Sequence, residues 1–318
     1  MTATGAILEM PTQSQPDFAG ELNRCVSEGT LVRRNEPLAK RTTLRVGGPV
    51  DFYVEPADEG DLAAILKLCR ACGTPFFILG RGSNLLVRDG GFRGVAISLS
   101  QSNFSKIEIA NERMTCGAGA KLKNVAVEAR RNSLGGLEFL EGIPGSVGGA
   151  LRMNAGAMGG QTFDAIESVR VMDWDGNVSE MAPQQMSVTY RSCAMLQNHI
   201  AISAIFKCKT LPREEIEQRM KAFSEKRWES QPAAPSAGCI FKNPSSIPAG
   251  KLIQELGLKG TRIGGAVVSA EHGNFIINDG KATARHVLDL IEVLKAKAKA
   301  ERGVELHTEV EIIGDDPQ

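Results

Sequence analysis

Between Gly142 and Gly160 lies the densest glycine cluster of the chain. It reads Gly142-Ile143-Pro144-Gly145-Ser146-Val147-Gly148-Gly149-Ala150 and runs on into Met153-Asn154-Ala155-Gly156-Ala157-Met158-Gly159-Gly160. Glycine loses more backbone freedom on folding than any other residue, so a segment this rich in it is too much for a simple turn. Two readings compete for it. One is a tight, buried crossover with several residues at positive φ. The other is a loop wrapped on a large flat ligand and its phosphates, where the absence of Cβ atoms lets backbone and ligand approach.

A second glycine loop, Gly80-Arg81-Gly82-Ser83-Asn84, follows the apolar run Pro75-Phe76-Phe77-Ile78-Leu79. A strand running into Gly-x-Gly is where a dinucleotide fingerprint would sit. The third glycine would have to be residue 85, which is leucine, and Val87 continues as strand. Gly117-Ala118-Gly119 fails the same way at Leu122. Neither is a Rossmann fingerprint. Successive N–H groups in such loops can still cradle a phosphate, with Ser83 and Asn84 adding side-chain donors.

Composition narrows the function classes. Lys+Arg and Asp+Glu are both 37, so there is no basic excess for nucleic acid and no acidic tail. The seven cysteines are odd in number and irregular in spacing, which argues against a disulfide framework. Cys69-x-x-Cys72 has no second Cys or His pair at ligand spacing. Cys69 extends the apolar row Leu62, Ile65, Leu66 and reads as core. The histidines are scattered, so no metal site is expected. No apolar stretch approaches the ~18 residues of a membrane span. The first twenty residues lack an apolar signal core and read as a disordered polar tail of a cytoplasmic protein.

Periodicity supplies the elements. Val50, Phe52 and Val54 alternate as a strand after Gly47-Gly48-Pro49. A helix runs from Asp58, a good N-cap, to Gly73, and residues 75–79 read as a buried parallel strand. Short alternating segments follow (Val95/Ile97/Leu99, Ile107/Ile109, Met114/Cys116), then a helix over 122–132. Strands over 166–174 and from Val178 flank the Asp175-Gly176 turn, and another spans 200–207. A polar helix over 213–228 leads to the proline-marked entry 231–235. Helices over 249–256 and from Thr283 to Gly303, a strand over 274–278 and a last strand over 304–313 complete the chain. Within that last strand Glu309 lies on the face shared by His307 and Glu311, which reads as solvated.

The stretch Pro235-Ser236-Ala237-Gly238-Cys239-Ile240-Phe241-Lys242-Asn243-Pro244 puts a thiol, an ammonium and a carboxamide close together. If extended, Cys239, Phe241 and Asn243 share one face. The competing readings are a proton donor (Cys239) beside an oxyanion or phosphate contact (Asn243), and a buried strand with a core cysteine.

Taken together, Thr42–Pro49, Leu79–Val87, Gly142–Gly160, Tyr190–Ser192, Ser236–Pro244, Gly250–Val268 and Glu309–Gly314 stand in the order of one family. From about Arg41 to Gly314 the chain resembles the UDP-N-acetylenolpyruvoylglucosamine reductase (MurB) family. The resemblance implies an α+β, vanillyl-alcohol-oxidase-like FAD-binding fold of two α+β subdomains, with a C-terminal α/β substrate-binding domain. The implied boundaries are 21–100 and 101–210 for the FAD subdomains and 211–318 for the substrate domain, whose last strand returns to the FAD site. Gly80, Arg81, Gly82, Ser83 and Asn84, with Ile143, Pro144, Gly145, Ser146, Gly148 and Gly149, would hold a non-covalent FAD. NADPH and a UDP-sugar would be the partners of a monomer. Arg191 would bind the substrate carboxylate, Glu309 would assist it, and Cys239 would stand where most members carry a serine proton donor. Arg191 or Lys242 would draw its pKa down. Tyr190, Lys242 and Asn243 would meet the UDP diphosphate. The short segment between Arg191 and Ile200 matches the subclass without an inserted tyrosine-bearing loop. Two further departures are Ser230, in place of a diphosphate-binding lysine, and Met158, in place of an aromatic or histidine. The alternatives are an FAD-linked oxidase of the same fold and a nucleotide-sugar binding protein without flavin chemistry.

Overall fold

The computed structural model describes residues 17–317. Most of the tail expected over 1–20 lies outside the described residues, and the helix Phe18–Cys25 begins within its last three. Those positions are ordered because Phe18 packs 5.1 Å, ring to ring, from Phe52 and Leu22 is fully buried.

The first sheet has the spatial order Leu31–Pro37, Pro49–Glu55, Phe92–Ile97, Phe76–Ile78. The first two strands are antiparallel, and Pro49–Glu55 and Phe76–Ile78 both run parallel to Phe92–Ile97. The helix Glu59–Ala71 makes the crossover. The Asp58 carboxylate accepts from the Asp61 N–H at its start, and Gly73 leaves its end at φ +63°. The two ends expected from sequence are therefore the ones that form. Burial of Phe76–Ile78 differs from expectation. Ile78 is 37% exposed, because this is an edge strand whose open side borders the cleft described below.

The second sheet is fully antiparallel, ordered Val178–Met181, Ile166–Asp173, His199–Lys207, Arg113–Gly117, Ile107–Ala110. The helix Leu122–Arg131 buries Leu122, Val125, Ala126 and Ala129, the stripe of a 3.6-residue period, in the core shared with Val169, Val171, Ile202 and Phe206. Leu62, Ile65, Leu66 and Cys69 join that core from the first sheet's helix.

The third sheet is ordered Ser236–Cys239, Phe275–Asn278, Ala266–Val268, Arg262–Ile263. It packs with the helices Ala249–Glu255 and Ala284–Arg302. The second of these starts at a Thr283 cap and stops at Gly303, φ +64°, as its sequence predicts. Its buried residues Val287, Leu290, Ile291, Leu294 and Ala298 repeat at helical spacing. No helix among the described residues is long and apolar enough to cross a membrane.

What positions the site is the fastening of this third unit to the first. Leu44, Val46 and Leu86 are buried in its core. Thr43 Oγ1 donates to the Ser236 carbonyl at 2.7 Å, and Asn278 Nδ2 donates to the Leu44 carbonyl at 3.0 Å. The expected strand over 304–313 is shorter than its alternation suggests. Only Glu311–Ile313 is strand, running parallel to Leu85–Val87. The preceding residues serve a different neighbour: Lys242 N–H donates to the His307 carbonyl, and Glu309 N–H to the Ile240 carbonyl. The chain end thus stitches the third unit to the first at Glu309.

Asp89 makes a comparable tie. Its two carboxylate oxygens accept from the Ala284 and Arg285 N–H groups at 2.8 and 2.9 Å, at the exposed start of the long helix. Capping of this sort contributes about 1 kcal/mol, with up to 2 in favourable cases. Asp89→Ala is expected to lower unfolding free energy by about 1–2 kcal/mol, read as a shift in the denaturant midpoint. An unchanged midpoint would remove Asp89 from the fastening.

Candidate active site

A cleft of about 1910 Å³ lies between the three units. A pocket for one small ligand is typically ~300–1,000 Å³, so this cleft has room for a dinucleotide-sized group and a second ligand beside it. Both glycine loops line it, as do Arg191, Cys239 and Glu309. Tyr190, Lys242 and Asn243 do not line it.

The loop Gly80–Asn84 is shaped as an anion cradle. Gly82 has φ +60°, and a Cβ there would lie 2.4 Å from the Arg41 carbonyl oxygen, so only glycine fits. Among the described residues, the N–H groups of Gly80, Arg81, Gly82 and Ser83 donate to no protein acceptor. Asn84 faces the other way, its Nδ2 donating to the Glu309 carbonyl at 3.1 Å.

The second loop differs from its sequence reading. Val147 and Gly148 N–H groups are already spent on the Ala120 and Ala118 carbonyls at 2.9 and 2.8 Å, and Ile143 N–H on Leu140. These three amides are therefore no phosphate cradle. The Gly117–Gly119 loop, set aside as a false fingerprint, is the brace on which this one rests. A Cβ at Gly119 would fall 1.6 Å from the Leu99 carbonyl oxygen, so its glycine serves close packing. Gly145 is different: a Cβ there would meet nothing closer than 3.5 Å. The protein itself does not require that glycine, and what its absent side chain leaves open is the cleft. The free amides, the space beside Gly145 and the cleft volume fit a large flat cofactor with a pyrophosphate.

Charge points the same way. The chain has no net charge, yet Lys40, Arg45, Arg81, Lys121 and Arg227 line the cleft and form no ion pair among the described residues, whereas Arg41, Arg152 and Arg191 are paired. A cleft with surplus cations concentrates polyanionic ligands.

At one end of the cleft three polar side chains meet. Arg191 is at the tip of the two-residue turn joining Val188–Thr189 to Ser192–Cys193, in the left-handed region at φ +55°. A non-glycine residue held there stores about 1 kcal/mol of strain, a feature concentrated at functional sites. Its Nε lies 2.9 Å from Glu309 Oε1. The Nε–H is nevertheless misaligned with that oxygen and has no hydrogen-bond partner. The pair is therefore held by charge; the Nε–H itself is buried, and the terminal guanidinium N–H groups, which make no hydrogen bond among the described residues, are the ones left for a ligand in the cleft. Glu309, expected on a solvated face, is 13% exposed. Burial pushes its carboxyl up from the usual range, with Arg191 and Lys242 opposing.

Cys239 enters this corner through a β-bulge. Ser236 pairs with Ile277 but Cys239 with Phe275, so one extra residue is inserted, and Gly238 has φ +73°. The strand ends at Cys239 and the chain bends at Ile240, so the expected alternation does not continue: Phe241 is buried in the third unit's core, Cys239 lines the cleft, and the two do not share a face. Burial and then the Glu309 charge push the thiol up to about 12, outweighing the opposing pull of Arg191 and Asn274. The expectation that nearby cations would favour the thiolate is thereby reversed. A thiol so placed keeps its proton across the neutral range.

The remaining predicted contacts sit outside the cleft. Tyr190 is 53% exposed, its ring 5.4 Å from the Arg191 guanidinium. Lys242 and Asn243 are exposed, and Asn243 Oδ1 accepts from the Ala249 N–H at the start of a helix. Ser230 bonds back to the Lys226 and Arg227 carbonyls of its own helix, and Met158 occupies a turn at φ +52° away from the cleft. Residues unforeseen from sequence include Arg45, Arg227, Trp228 and buried Asn274. Trp228, 60% exposed on a polar helix, carried a signal in its misplaced hydrophobicity. Asn274 carried none.

Residues 231–313 match the family model "UDP-N-acetylenolpyruvoylglucosamine reductase, C-terminal domain", and residues 50–182 match "FAD binding domain". A UDP-N-acetylenolpyruvoylglucosamine reductase of Syntrophomonas wolfei is 44% identical over 90% of this chain and 96% of its own length. One of Clostridioides difficile is 43% identical over 90% and 94%. The crystal structure of the enzyme of that name from Thermus caldophilus superposes with a TM-score of 0.77 at 38% identity, covering 90% of this chain and 99% of that one.

Proposed function

The chain belongs to the UDP-N-acetylenolpyruvoylglucosamine reductase family, and on that premise we propose that it is an NADPH-dependent flavoenzyme reducing the enolpyruvyl group of UDP-N-acetylglucosamine-enolpyruvate to the lactyl ether of UDP-N-acetylmuramate, a peptidoglycan precursor. FAD, when bound, supplies the hydride relay between NADPH and the substrate. The Gly80–Ser83 amides would hold its pyrophosphate, and the space at Gly145 would admit its flat part. The two substrates take turns in the cleft. The short connection after Arg191 supports the subclass without an inserted loop.

The chain's own residues account for the rest. Hydride addition to the terminal carbon of the enol ether builds negative charge on the substrate carboxylate. The terminal Arg191 N–H groups and its positive charge suit that carboxylate. Glu309, with its raised pKa, is suited to share a proton there, and its pairing with Arg191 orients the guanidinium. Cys239 holds the proton that the adjacent carbon needs, and at a pKa near 12 it keeps that proton throughout the neutral range. One observation carries this reading: Arg191, Glu309 and Cys239, from three separate elements, meet at the end of a cleft walled by both glycine loops.

Anaerobic mixing tests it. NADPH is expected to bleach the flavin of the purified protein, and the enolpyruvyl substrate then to restore the colour with one equivalent consumed per FAD. A flavin that NADPH does not bleach removes the reductase reading. One that bleaches but is not recoloured points to a different acceptor.

A further inference from the structure

We propose that Arg227 and Trp228 form a binding subsite for the nucleoside diphosphate of a ligand that exchanges in the cleft, the guanidinium taking the diphosphate and the indole stacking on the base. The inference rests on the reductase reading above, which supplies two such ligands, the UDP-sugar and NADPH.

The two residues stand near the end of the helix Arg213–Ser230. Its inward row is Ile216 and Met220, both buried, and then Phe223, packed against the large core of the first two sheets. Helical spacing carries that row on to residue 227. There an arginine stands where the stripe asks for an apolar residue, and it lines the cleft. A Cβ on Gly142 would lie 4.0 Å from Arg227 Cδ, so the side chain runs beside the entry to the second glycine loop. Its Nε–H donates to Gln231 Oε1 at 3.2 Å, and its terminal nitrogens have no protein partner among the described residues. Burial draws this guanidinium's pKa down, with the Glu141 charge opposing. A half-buried cation that has given up water without gaining a carboxylate favours an incoming anion, and a diphosphate suits the guanidinium fork.

Trp228 is the most exposed large apolar side chain among the described residues, and it too lines the cleft. Scattered exposed apolar residues are ordinary. This one is not isolated: the Arg227 guanidinium carbon lies 5.3 Å from its ring centroid. That is a cation–π distance, so ring and charge form one surface. An aromatic face stacks on any nucleobase, and the neighbouring guanidinium recognises phosphate. From this pair the wall continues through residues 231–239, all of which line the cleft. The wall that ends at the Cys239 thiol therefore begins at a surface suited to a nucleotide.

Isothermal titration of the FAD-loaded protein with UDP and, separately, with NADP⁺ tests this. Trp228→Ala is expected to weaken at least one of the two by about tenfold, as the loss of one base stack does. Trp228→Phe should keep most of that affinity and Trp228→Leu should not, whereas a merely structural role would follow apolar size. Arg227→Gln should weaken the same nucleotide by about tenfold and flatten the decline of its affinity with added salt. In turnover the loss should fall on the KM of that ligand rather than on kcat. A loss for UDP alone assigns the subsite to the sugar substrate, for NADP⁺ alone to the reductant, and for both to a shared position; each supports the proposal. Wild-type affinity for both nucleotides in Trp228→Ala and Arg227→Gln overturns it, whatever becomes of FAD retention, and so does equal affinity in the phenylalanine and leucine variants. Wild-type protein that binds neither nucleotide overturns the reductase reading as well, so the two failures are distinct.

Discussion

Cys239→Ala leaves reduction of bound FAD by NADPH at the wild-type rate and slows reduction of the enolpyruvyl substrate by about 10³-fold. That magnitude is typical of a lost general acid, whose contribution is ~10²–10⁴-fold. The two half-reactions separate because only the second needs a proton delivered to carbon. Stopped-flow absorbance of the flavin reads both in one protein: bleaching by NADPH, then recolouring by substrate. Normal recolouring in the alanine variant would remove Cys239 from the mechanism.

Cys239→Ser is expected to keep activity within about tenfold, since both groups carry a proton at neutral pH. The pH profile follows from the thiol's surroundings. Its folded pKa is raised to about 12 by burial and by Glu309. The donor is therefore competent below that value, and no loss from thiol ionisation should appear as pH rises through 8 or 9. An alkaline limb present in wild type and absent in the serine variant would show a thiol pKa far lower than this geometry implies.

How much of this was legible in the chain depends on the kind of feature. Caps and stripes were: Asp58, Gly73, Thr283 and Gly303 mark helix ends through local chemistry that no distant residue overrides. The glycine loops were legible as ligand-facing, but not which of their amides are free. That depends on Ala118 and Ala120, in the turn after the strand Arg113–Gly117, arriving to occupy Gly148 and Val147. Glu309 looked solvated because alternation reports a face, not what lies against it. Its burial comes from Arg191 and from the Cys239–Ile240 segment, both remote in sequence. The Cys239 bulge was hidden for a similar reason: the extra residue exists only relative to the register of Phe275–Asn278.

Arg191 is where strain and chemistry coincide, and replacing it separates them. At φ +55° the backbone suits glycine better than arginine, so Arg191→Gly is expected to keep the turn, the fold and FAD binding. Activity toward the enolpyruvyl substrate should nevertheless fall by about 10²–10³-fold, the usual cost of removing one preorganised charge-stabilising donor. The loss should appear in kcat as well as KM, because the charge on the carboxylate grows during hydride addition and the terminal guanidinium N–H groups, which make no hydrogen bond among the described residues, are left for that growth. Arg191→Lys is a sharper version. It restores the charge but not the planar fork, and it keeps the strained backbone. If recognition depends on the fork, lysine recovers little. If charge alone matters, lysine recovers most of the rate while glycine does not. Equal activity in wild type and the glycine variant, with folding intact by denaturant midpoint, would mean that the strained residue at the turn serves neither purpose, and the carboxylate contact would have to be sought among the unpaired cations Arg45, Arg81 and Arg227 of the same cleft.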